Sequence, residues 1–165
     1  MTTIADFWRM IWEQNVSIIV MVTNCREGND EKCQQYWSDE VGEPFEGYEA
    51  HITLQKVVKL PDFTVREFSV VHQMTRQERT VTQLHYTSWP DFDVPRENPI
   101  GILKFIRKVR QVQETVPTTP ILVHCSAGCG RTGTFIAIAA MLEMLEKERR
   151  IDVSSFTYQY VIFSL

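Results

Sequence analysis

The fold of this chain is decided by residues 121–133, which read ILVHCSAGCGRTG. The apolar residues from Ile121 to His124 predict a short buried strand. Gly128 and Gly130 permit backbone conformations that most residues avoid, and a helix is predicted to begin at Thr132 or Gly133. This order of strand, tight loop and helix N-terminus points successive backbone N–H groups and the positive end of a helix dipole at one spot. The stretch therefore predicts an α/β fold with a cradle for a tetrahedral oxyanion.

Two side chains make this cradle a candidate reactive site. Arg131 carries a planar fork of donors that binds two phosphate oxygens at once. The donors and positive charge around Cys125 favour the thiolate, so we expect its pKa to lie below the free value of about 8.5. Such a thiolate can attack the phosphorus of a bound phosphate monoester in line and form a phosphocysteine that water then hydrolyses.

The cysteine at a strand end and the glycine-rich turn also occur in proteins with other functions. A cysteine at a strand end is most often inert packing, and a glycine-rich turn before a helix also occurs in nucleotide-binding loops. A Walker-type loop ends in Gly-Lys followed by Ser or Thr, whereas Gly130 is followed here by Arg131. The Gly-x-Ser-x-Gly turn of lipases is also absent.

A second segment of interest, WPDFDVP, runs from Trp89 to Pro95. Its two prolines and two aromatic residues predict a stiff loop that moves as a lid over the cradle. Asp91 in this loop is the candidate donor of the proton that a phenolate or alkoxide leaving group needs. An isolated Asp in such a segment would be an ordinary turn residue. Its combination with the cysteine loop favours the catalytic interpretation.

The remaining patterns predict one mixed α/β domain. Thr3 and Asp6 have the spacing of a helix capping box, and apolar residues repeat at helical spacing up to Asn15. Pro99 opens a second amphipathic helix, and a third, apolar through Leu145, is predicted to be the central buried helix. A turn is predicted at 25–32, and strands are predicted at 17–22, 34–37, 52–58, 63–71 and 80–86, the last three as an antiparallel meander. The expected fold is a mixed twisted sheet with flanking helices.

Composition narrows the classes of function. The 165 residues include 44% hydrophobic residues, and 17 basic against 21 acidic residues give a net charge of −4. This size suits one domain, and the charge gives no reason to expect binding to nucleic acid or to an anionic membrane surface. The apolar runs are far shorter than the about 20 residues of a membrane-spanning helix. Four cysteines are too few for a secreted disulfide scaffold and predict an intracellular, reduced protein.

No metal site is predicted from the sequence. His51, His72 and His85 lie in strand-like segments without the spacing of metal ligands, so we interpret them as ordinary strand histidines.

The two motifs together resemble the catalytic domain of protein tyrosine phosphatases. Residues 124–133 match the signature of that family nearly throughout, and residues 89–95 match its mobile general-acid loop. Residues 6–23 and 32–37 match its core, and the resemblance runs from about residue 1 to residue 153. It implies the phosphotyrosine protein phosphatase II-like fold, phosphotyrosine-containing proteins as substrates and partners, and no cofactor. It also implies a cytoplasmic location, in a soluble protein or in a receptor's cytoplasmic domain.

The resemblance further implies roles for individual residues. Cys125 would be the nucleophile, Arg131 would bind the phosphoryl group, and Asp91 would act as acid in the first step and as base in the second. Thr132 would help the thiolate leave, and His124 would hold the cysteine through backbone contacts.

Further residues follow from the same resemblance. Glu27 and Lys32 fall where the family has a charged loop that closes toward the site, although a plain solvated turn fits them nearly as well. Trp89 and Gln159 are accessory candidates. The substrate-binding loop would comprise Ser126, Ala127, Gly128, Cys129 and Gly130.

Departures from the family pattern predict a partial domain over residues 1–165, truncated at both ends. A substrate-stacking tyrosine is expected before Met1, and the family's water-orienting glutamine loop is represented only by the residues around Gln159. Position 129 is more commonly valine than cysteine. The leading prediction is hydrolysis of phosphotyrosine in proteins. The alternatives are a catalytically impaired phosphotyrosine-binding module and a dual-specificity phosphatase, and the Trp-Pro-Asp sequence weighs against the second. We also expect the apolar tail, Tyr160 to Phe163, to promote self-association.

Overall fold

The computed structural model describes residues 3–47, 49–90, 93, 95 and 98–163, with side chains as far as residue 158. In chain order the elements are α1 (Thr3–Glu13), β1 (Ile18–Met21), β2 (Arg26–Glu27), β3 (Asp30–Glu31), β4 (Pro44–Glu46), β5 (Ala50–Lys59), β6 (Phe63–His72), β7 (Glu78–Tyr86), α2 (Pro99–Gln113), β8 (Ile121–His124), α3 (Gly130–Glu148) and α4 (Val153–Phe163).

The main sheet positions the site through its strand order, β4-β5-β6-β7-β1-β8. Strand β1 is parallel to both of its neighbours, with Ile18 opposite Thr82 of β7 and Ile121 of β8. The carboxyl ends of β7, β1 and β8 therefore lie at one edge of the sheet. The segments that begin with Thr87, Val22 and Cys125 leave the sheet at this edge, so the topology brings three distant parts of the chain together.

Strand β1 lies between β7 and β8 and is apolar on both of its faces. Ile18 and Val20 join the core beneath α2 and α3, whereas Ile19 and Met21 join the core beneath α1. All four side chains are fully buried. A short run that is apolar at every position fits only a strand covered on both sides, and the resulting arrangement has helices on both faces of the sheet.

The antiparallel meander predicted from the sequence is confirmed. Strand β5 pairs with β6 and β6 with β7, both antiparallel, and a bulge interrupts the first pairing between Leu54 and Lys56. The mixed α/β fold class is likewise confirmed.

Two predictions about strands are wrong. Residues 34–37 form no strand; Tyr36 and Trp37 are buried there by side-chain packing instead. The edge strand β4 was not predicted, and it pairs with β5 through Phe45 and Ile52. The predicted turn at 25–32 is a short hairpin of β2 and β3.

Helix α3 differs from its prediction in start and in burial. It begins at Gly130, ahead of the predicted Thr132 or Gly133. Its buried residues are Thr132, Phe135 and Met141, so it covers one face of the sheet and is not a central buried helix. Arg110 of α2 binds α3 through its guanidinium, which donates to the Ala139 carbonyl oxygen at 2.8 Å and to the Glu146 carboxylate. Among the described helices, none has the length and apolar character that a membrane span requires.

Candidate active site

The cysteine loop begins directly at the end of β8. Cys125 is 8% exposed, whereas the following residues, 126–130, are open to solvent. Gly128 adopts φ +74°, a conformation that strains residues with a side chain, and it turns the loop back over Cys125. The φ of Gly130 lies outside this left-handed region, so Gly128 alone of the two glycines needs its conformational freedom.

Hydrogen bonds to the sulfur lower the pKa of Cys125. Burial acts in the opposite direction and favours the neutral thiol. The Thr132 hydroxyl and the backbone N–H groups of Thr132, Gly128 and Cys129 outweigh burial, so the thiolate is favoured. Gly128 and Cys129 precede α3, and Thr132 lies in its first turn. The sequence of strand, loop and helix predicts this arrangement of donors.

The side chain of Thr132 faces this sulfur. Thr132 is buried, and its Oγ1 makes no hydrogen bond within the described part of the chain. A buried hydroxyl without a partner is costly, and the ionised Cys125, whose pKa this hydroxyl lowers, offers it an acceptor.

Arg131 is held by a carboxylate from the hairpin of β2 and β3. Its Nη1 and Nη2 donate to the two carboxylate oxygens of Glu27 at 2.5 and 2.7 Å. Nη1 also lies 3.5 Å from the Thr23 hydroxyl. The pair is shielded from solvent, with 17% of the Arg131 side chain and 5% of the Glu27 side chain exposed. This bidentate geometry fixes the plane of the guanidinium beside the cysteine loop.

Glu27 is a buried residue bound to Arg131, so it does not belong to a plain solvated turn. Its carboxylate also accepts from the Asn24 backbone N–H at 3.2 Å and lies 3.3 Å from the Thr23 hydroxyl. Lys32 belongs to the same hairpin segment, with its Nζ 3.4 Å from an Asp30 carboxylate oxygen. The hairpin thus brings a buried acidic residue onto the predicted phosphate-binding arginine.

His124 connects the base of the loop to the core. Its Nδ1 lies 3.2 Å from the Cys125 carbonyl oxygen, and its Nε2 lies 2.9 Å from the Tyr36 hydroxyl. Gln83 in turn donates from Nε2 to that hydroxyl at 2.8 Å. Burial lowers the pKa of His124, while the hydrogen bond to Cys125 partly opposes this, so the imidazole is neutral at pH 7.

The segment that leads to Asp91 contacts Arg131 through Pro90. Trp89 is buried in the core, and its indole N–H donates to the Asp93 carbonyl oxygen at 2.9 Å. The Pro90 carbonyl oxygen accepts from Arg131 Nη2 at 3.4 Å. Asp91 itself lies outside the described residues, and its assigned role stays a prediction.

The structure thus brings together most of the predicted site residues. Gln159 lies in α4, its side chain outside the described set, so its accessory role also stays a prediction. Thr23, Tyr36 and Gln83 were not predicted as site residues. Gln83 could have been found from the sequence, because it is a polar residue two positions after Val81. Residues two apart in a strand lie on the same face, so Gln83 falls on a buried face of β7, where a polar side chain needs a partner.

A search of the described residues for a metal site found no group of three or more His, Cys, Asp or Glu side chains arranged to hold a metal ion.

Comparison with known proteins places the chain in a family. The model of the protein-tyrosine phosphatase family matches residues 1–160. The chain is 47% identical over 157 residues to receptor-type tyrosine-protein phosphatase epsilon of Homo sapiens, covering 93% of this chain and 22% of the relative. It is 49% identical over 158 residues to the human alpha relative, with 93% and 19% covered. For the eta relative of Gallus gallus the values are 44% over 157 residues, with 94% and 11% covered.

The chain spans about a fifth of the length of the two human relatives. The match nevertheless covers the cysteine loop, the segment before Asp91 and the hairpin with Glu27, on the fold expected from the sequence. The chain belongs to the protein-tyrosine phosphatase family.

Proposed function

We propose that this chain hydrolyses phosphotyrosine in proteins through a phosphocysteine intermediate. The observation that carries the proposal is the position of Cys125, which is buried at the start of the loop and whose pKa is lowered by the Thr132 hydroxyl and by the backbone N–H groups of Thr132, Gly128 and Cys129. The same donors that stabilise the thiolate stand where a phosphoryl group would need them once it lies above the sulfur.

In the first step the Cys125 thiolate attacks phosphorus, forming the S–P bond as the P–O bond to the tyrosine ring breaks. The loop N–H groups and the Arg131 guanidinium stabilise the charge on the phosphoryl oxygens. Asp91 gives its proton to the departing phenolate, so tyrosine leaves neutral. The Pro90 contact with Arg131 supports this assignment, because it puts the residue before Asp91 at the phosphate-binding arginine.

In the second step a water molecule attacks the phosphocysteine. Asp91, now a carboxylate, takes the proton from this water, the new P–O bond forms, and the S–P bond breaks to release phosphate and the thiolate. The Thr132 hydroxyl stabilises the departing sulfur. Glu27 contributes by keeping the Arg131 guanidinium in one orientation through both steps.

The wider setting belongs to the same proposal. Residues 1–165 form a single partial phosphatase domain, its partners are phosphotyrosine-containing proteins, and it works in the cytoplasm. The similarity to receptor-type tyrosine-protein phosphatases supports this setting.

The test is hydrolysis of an aryl phosphate by the full chain and two variants. We expect Cys125→Ser to abolish activity and Asp91→Ala to lower kcat by about 10² to 10⁴, the usual contribution of an acid–base group. Cys33→Ser, at a free half-buried cysteine outside the loop, is the matched control and should retain activity. Equal hydrolysis by the parent chain and Cys125→Ser would exclude the proposed mechanism.

Burst kinetics separate turnover from trapping. Steady release of phosphate supports an enzyme, whereas one equivalent of phenol followed by a stalled phase supports the phosphotyrosine-trapping module. Hydrolysis of a phosphoserine peptide at a rate close to that of a phosphotyrosine peptide would support the dual-specificity alternative.

A further inference from the structure

Arg66 of β6 lies in the sheet at the centre of a hydrogen-bond network. It pairs in register with Gln83 of β7, and its Nη1 donates to Gln83 Oε1 at 2.8 Å. The guanidinium stacks on Trp37 with its central carbon 4.7 Å from the ring centroid. Burial lowers the pKa of Arg66, and Asp39 opposes this shift, so the side chain remains a cation.

A guanidinium can only donate hydrogen bonds, and this sets the orientation of Gln83. The amide oxygen of Gln83 must face Arg66, so its nitrogen must face Tyr36, to whose hydroxyl oxygen it donates at 2.8 Å. The Tyr36 O–H then has two acceptors within reach, His124 Nε2 at 2.9 Å and Met21 Sδ at 3.7 Å. The imidazole nitrogen is nearer and is the stronger acceptor, so the O–H is directed to His124. His124 then carries its proton on Nδ1 and donates it to the Cys125 carbonyl oxygen.

Reversal of the Gln83 amide would propagate along the same chain. Tyr36 would donate to the amide oxygen, and His124 Nε2 would have to carry the proton. The lone pair of Nδ1 would then face the Cys125 carbonyl oxygen at 3.2 Å, where the two acceptors repel each other. The donor at position 66 and the Cys125 carbonyl oxygen therefore favour the same direction of the bonds between β6 and the cysteine loop, one from each end.

A second branch leads from Arg66 to the phosphate-binding arginine. Arg66 Nη1 lies 3.4 Å from His85 Nδ1, and His85 Nε2 donates to the Thr23 carbonyl oxygen at 2.8 Å. The Thr23 hydroxyl contacts Glu27, the partner of Arg131. His85 thus has its proton on Nε2, opposite to His124.

We propose that Arg66 is a positioning residue that aligns the cysteine loop and the Glu27–Arg131 pair by fixing the Gln83 amide and the tautomers of His124 and His85. The inference rests on the proposed function in that the aligned groups are the nucleophile and the phosphate-binding arginine. It goes beyond that function because Arg66 touches neither of them.

The tautomers can be read directly by NMR of the full chain labelled with ¹⁵N-histidine. Long-range ¹H–¹⁵N spectra distinguish protonation at Nδ1 from protonation at Nε2. The chain has four histidines, and single substitutions of His51, His72 and His85 assign all four signals. We expect the Nδ1–H form for His124 and the Nε2–H form for His85. A wild-type His124 in the Nε2–H form would overturn the proposal without any variant.

A second measurement uses the pH dependence of Cys125 alkylation by iodoacetamide, followed by mass spectrometry of the peptide that contains Cys125. We expect Arg66→Met to shift the His124 tautomer and to raise the alkylation midpoint by about one pH unit, a tenfold loss of thiolate at a given lower pH. Gln83→Glu, whose carboxylate cannot donate to Tyr36, should give the same result. Arg66→Lys keeps a donor at this position and should restore the tautomer.

Arg79→Met is the matched control. Arg79 stacks on Trp12 at 3.9 Å and donates to the Trp12 carbonyl oxygen at 2.8 Å, so it makes the same kinds of contact on the neighbouring strand but leads away from the site. Circular dichroism verifies the fold of each variant, and Arg66→Lys and Gln83→Glu test the proposal if Arg66→Met does not fold.

The outcomes separate the two proposals. Unchanged tautomers and an unchanged alkylation midpoint in Gln83→Glu and in the folded Arg66 variants would overturn the role of Arg66, and so would an equal shift in Arg79→Met. If the parent chain does not hydrolyse aryl phosphates, the proposed function fails, while the tautomers and alkylation midpoints still test the positioning.

Discussion

The Thr132 hydroxyl lowers the pKa of Cys125 and so favours its thiolate. Among the groups that lower the pKa of Cys125 against the effect of burial, this hydroxyl contributes most. The remaining donors are backbone groups, which substitutions of side chains do not remove, so Thr132 offers the clearest test of how the thiolate is stabilised.

Thr132→Ala should raise the pKa of Cys125, because the side-chain donor is lost while burial still favours the neutral thiol. Thr132→Ser, which keeps the hydroxyl, should leave the pKa close to that of the parent chain. The pH dependence of Cys125 alkylation measures both. Equal midpoints for the alanine and serine variants would show that the backbone N–H groups alone stabilise the thiolate.

His85 gives the folded state a dependence on pH. Burial, followed by the charge of Arg66, lowers its pKa from 6.5 to about 4. The unfolded chain therefore binds a proton as the pH falls through 6.5, whereas the folded chain binds it only near pH 4. The stabilisation is fully present above pH 6.5 and is lost as the pH falls across this window.

We expect the free energy of unfolding to fall by about 2 kcal/mol between pH 7 and pH 5 because of His85. Urea unfolding at both pH values measures the change. His85→Gln should remove this part of the pH dependence, and His51→Gln, at a more exposed histidine, should retain it. The same slope in the parent chain and in His85→Gln would assign the pH dependence to other groups.

Among the elements, the hairpin of β2 and β3 is small but carries a buried carboxylate. Each strand has two residues, and Glu27 is the buried one of the four. Its position is set by Arg131 of α3 and by the Asn24 backbone. The hairpin and the helix are consequently held together by one ion pair.

Glu27→Gln should lower the free energy of unfolding by about 3 kcal/mol, since it leaves the shielded Arg131 without its counter-charge. It should also lower kcat/KM for aryl phosphates, because the guanidinium is no longer held in one orientation. Denaturant unfolding and steady-state kinetics measure the two effects. Glu31→Gln, at an exposed glutamate of the same hairpin, is the control and should change neither. Similar losses in both variants would contradict a specific role for Glu27.

Some elements of the fold are determined by their own local sequence and others by contacts with distant residues. The meander and the cysteine loop follow from alternation and glycine placement, so both could be predicted. A strand is predicted at 34–37, whereas in the structure this segment forms no strand and long-range packing buries Tyr36 and Trp37. Trp8, for example, donates to the Tyr36 carbonyl oxygen.

Contacts between distant residues could not be predicted in this way. Glu27 meets Arg131 only because β1 and β8 are neighbours in the sheet. Strand β4 exists only through its pairing with β5, and its own sequence, Pro-Phe-Glu, has no alternating pattern long enough to indicate a strand. Gln83 and His85 show the same limit, since their partners lie on other elements.

At the scale of the whole molecule, three large apolar side chains at and near α4 are exposed. Ile151, just before α4, is 54% exposed, and Val153 and Tyr158 in α4 are 58% and 71% exposed. Exposed apolar side chains favour association, so these residues offer a test of the self-association expected from the tail that follows them.

We expect the isolated chain to self-associate, and light scattering over a range of concentrations measures this. Val153→Glu combined with Tyr158→Lys should reduce the apparent mass. Met74→Glu, at an even more exposed apolar residue in the turn between β6 and β7, is the control and should leave it unchanged. A monodisperse monomer of the parent chain would contradict the expectation.

The arrangement of β8 beside β1 bears on how the protein is made. Every donor that ionises Cys125 follows it in the chain, and β8 must find β1 after most of the domain has been translated. A nascent chain that has left the ribosome only as far as Cys125 therefore carries an ordinary thiol. Chemical reactivity arises only after Thr132 has been added and β8 has joined β1, when the sheet is already available to hold the loop.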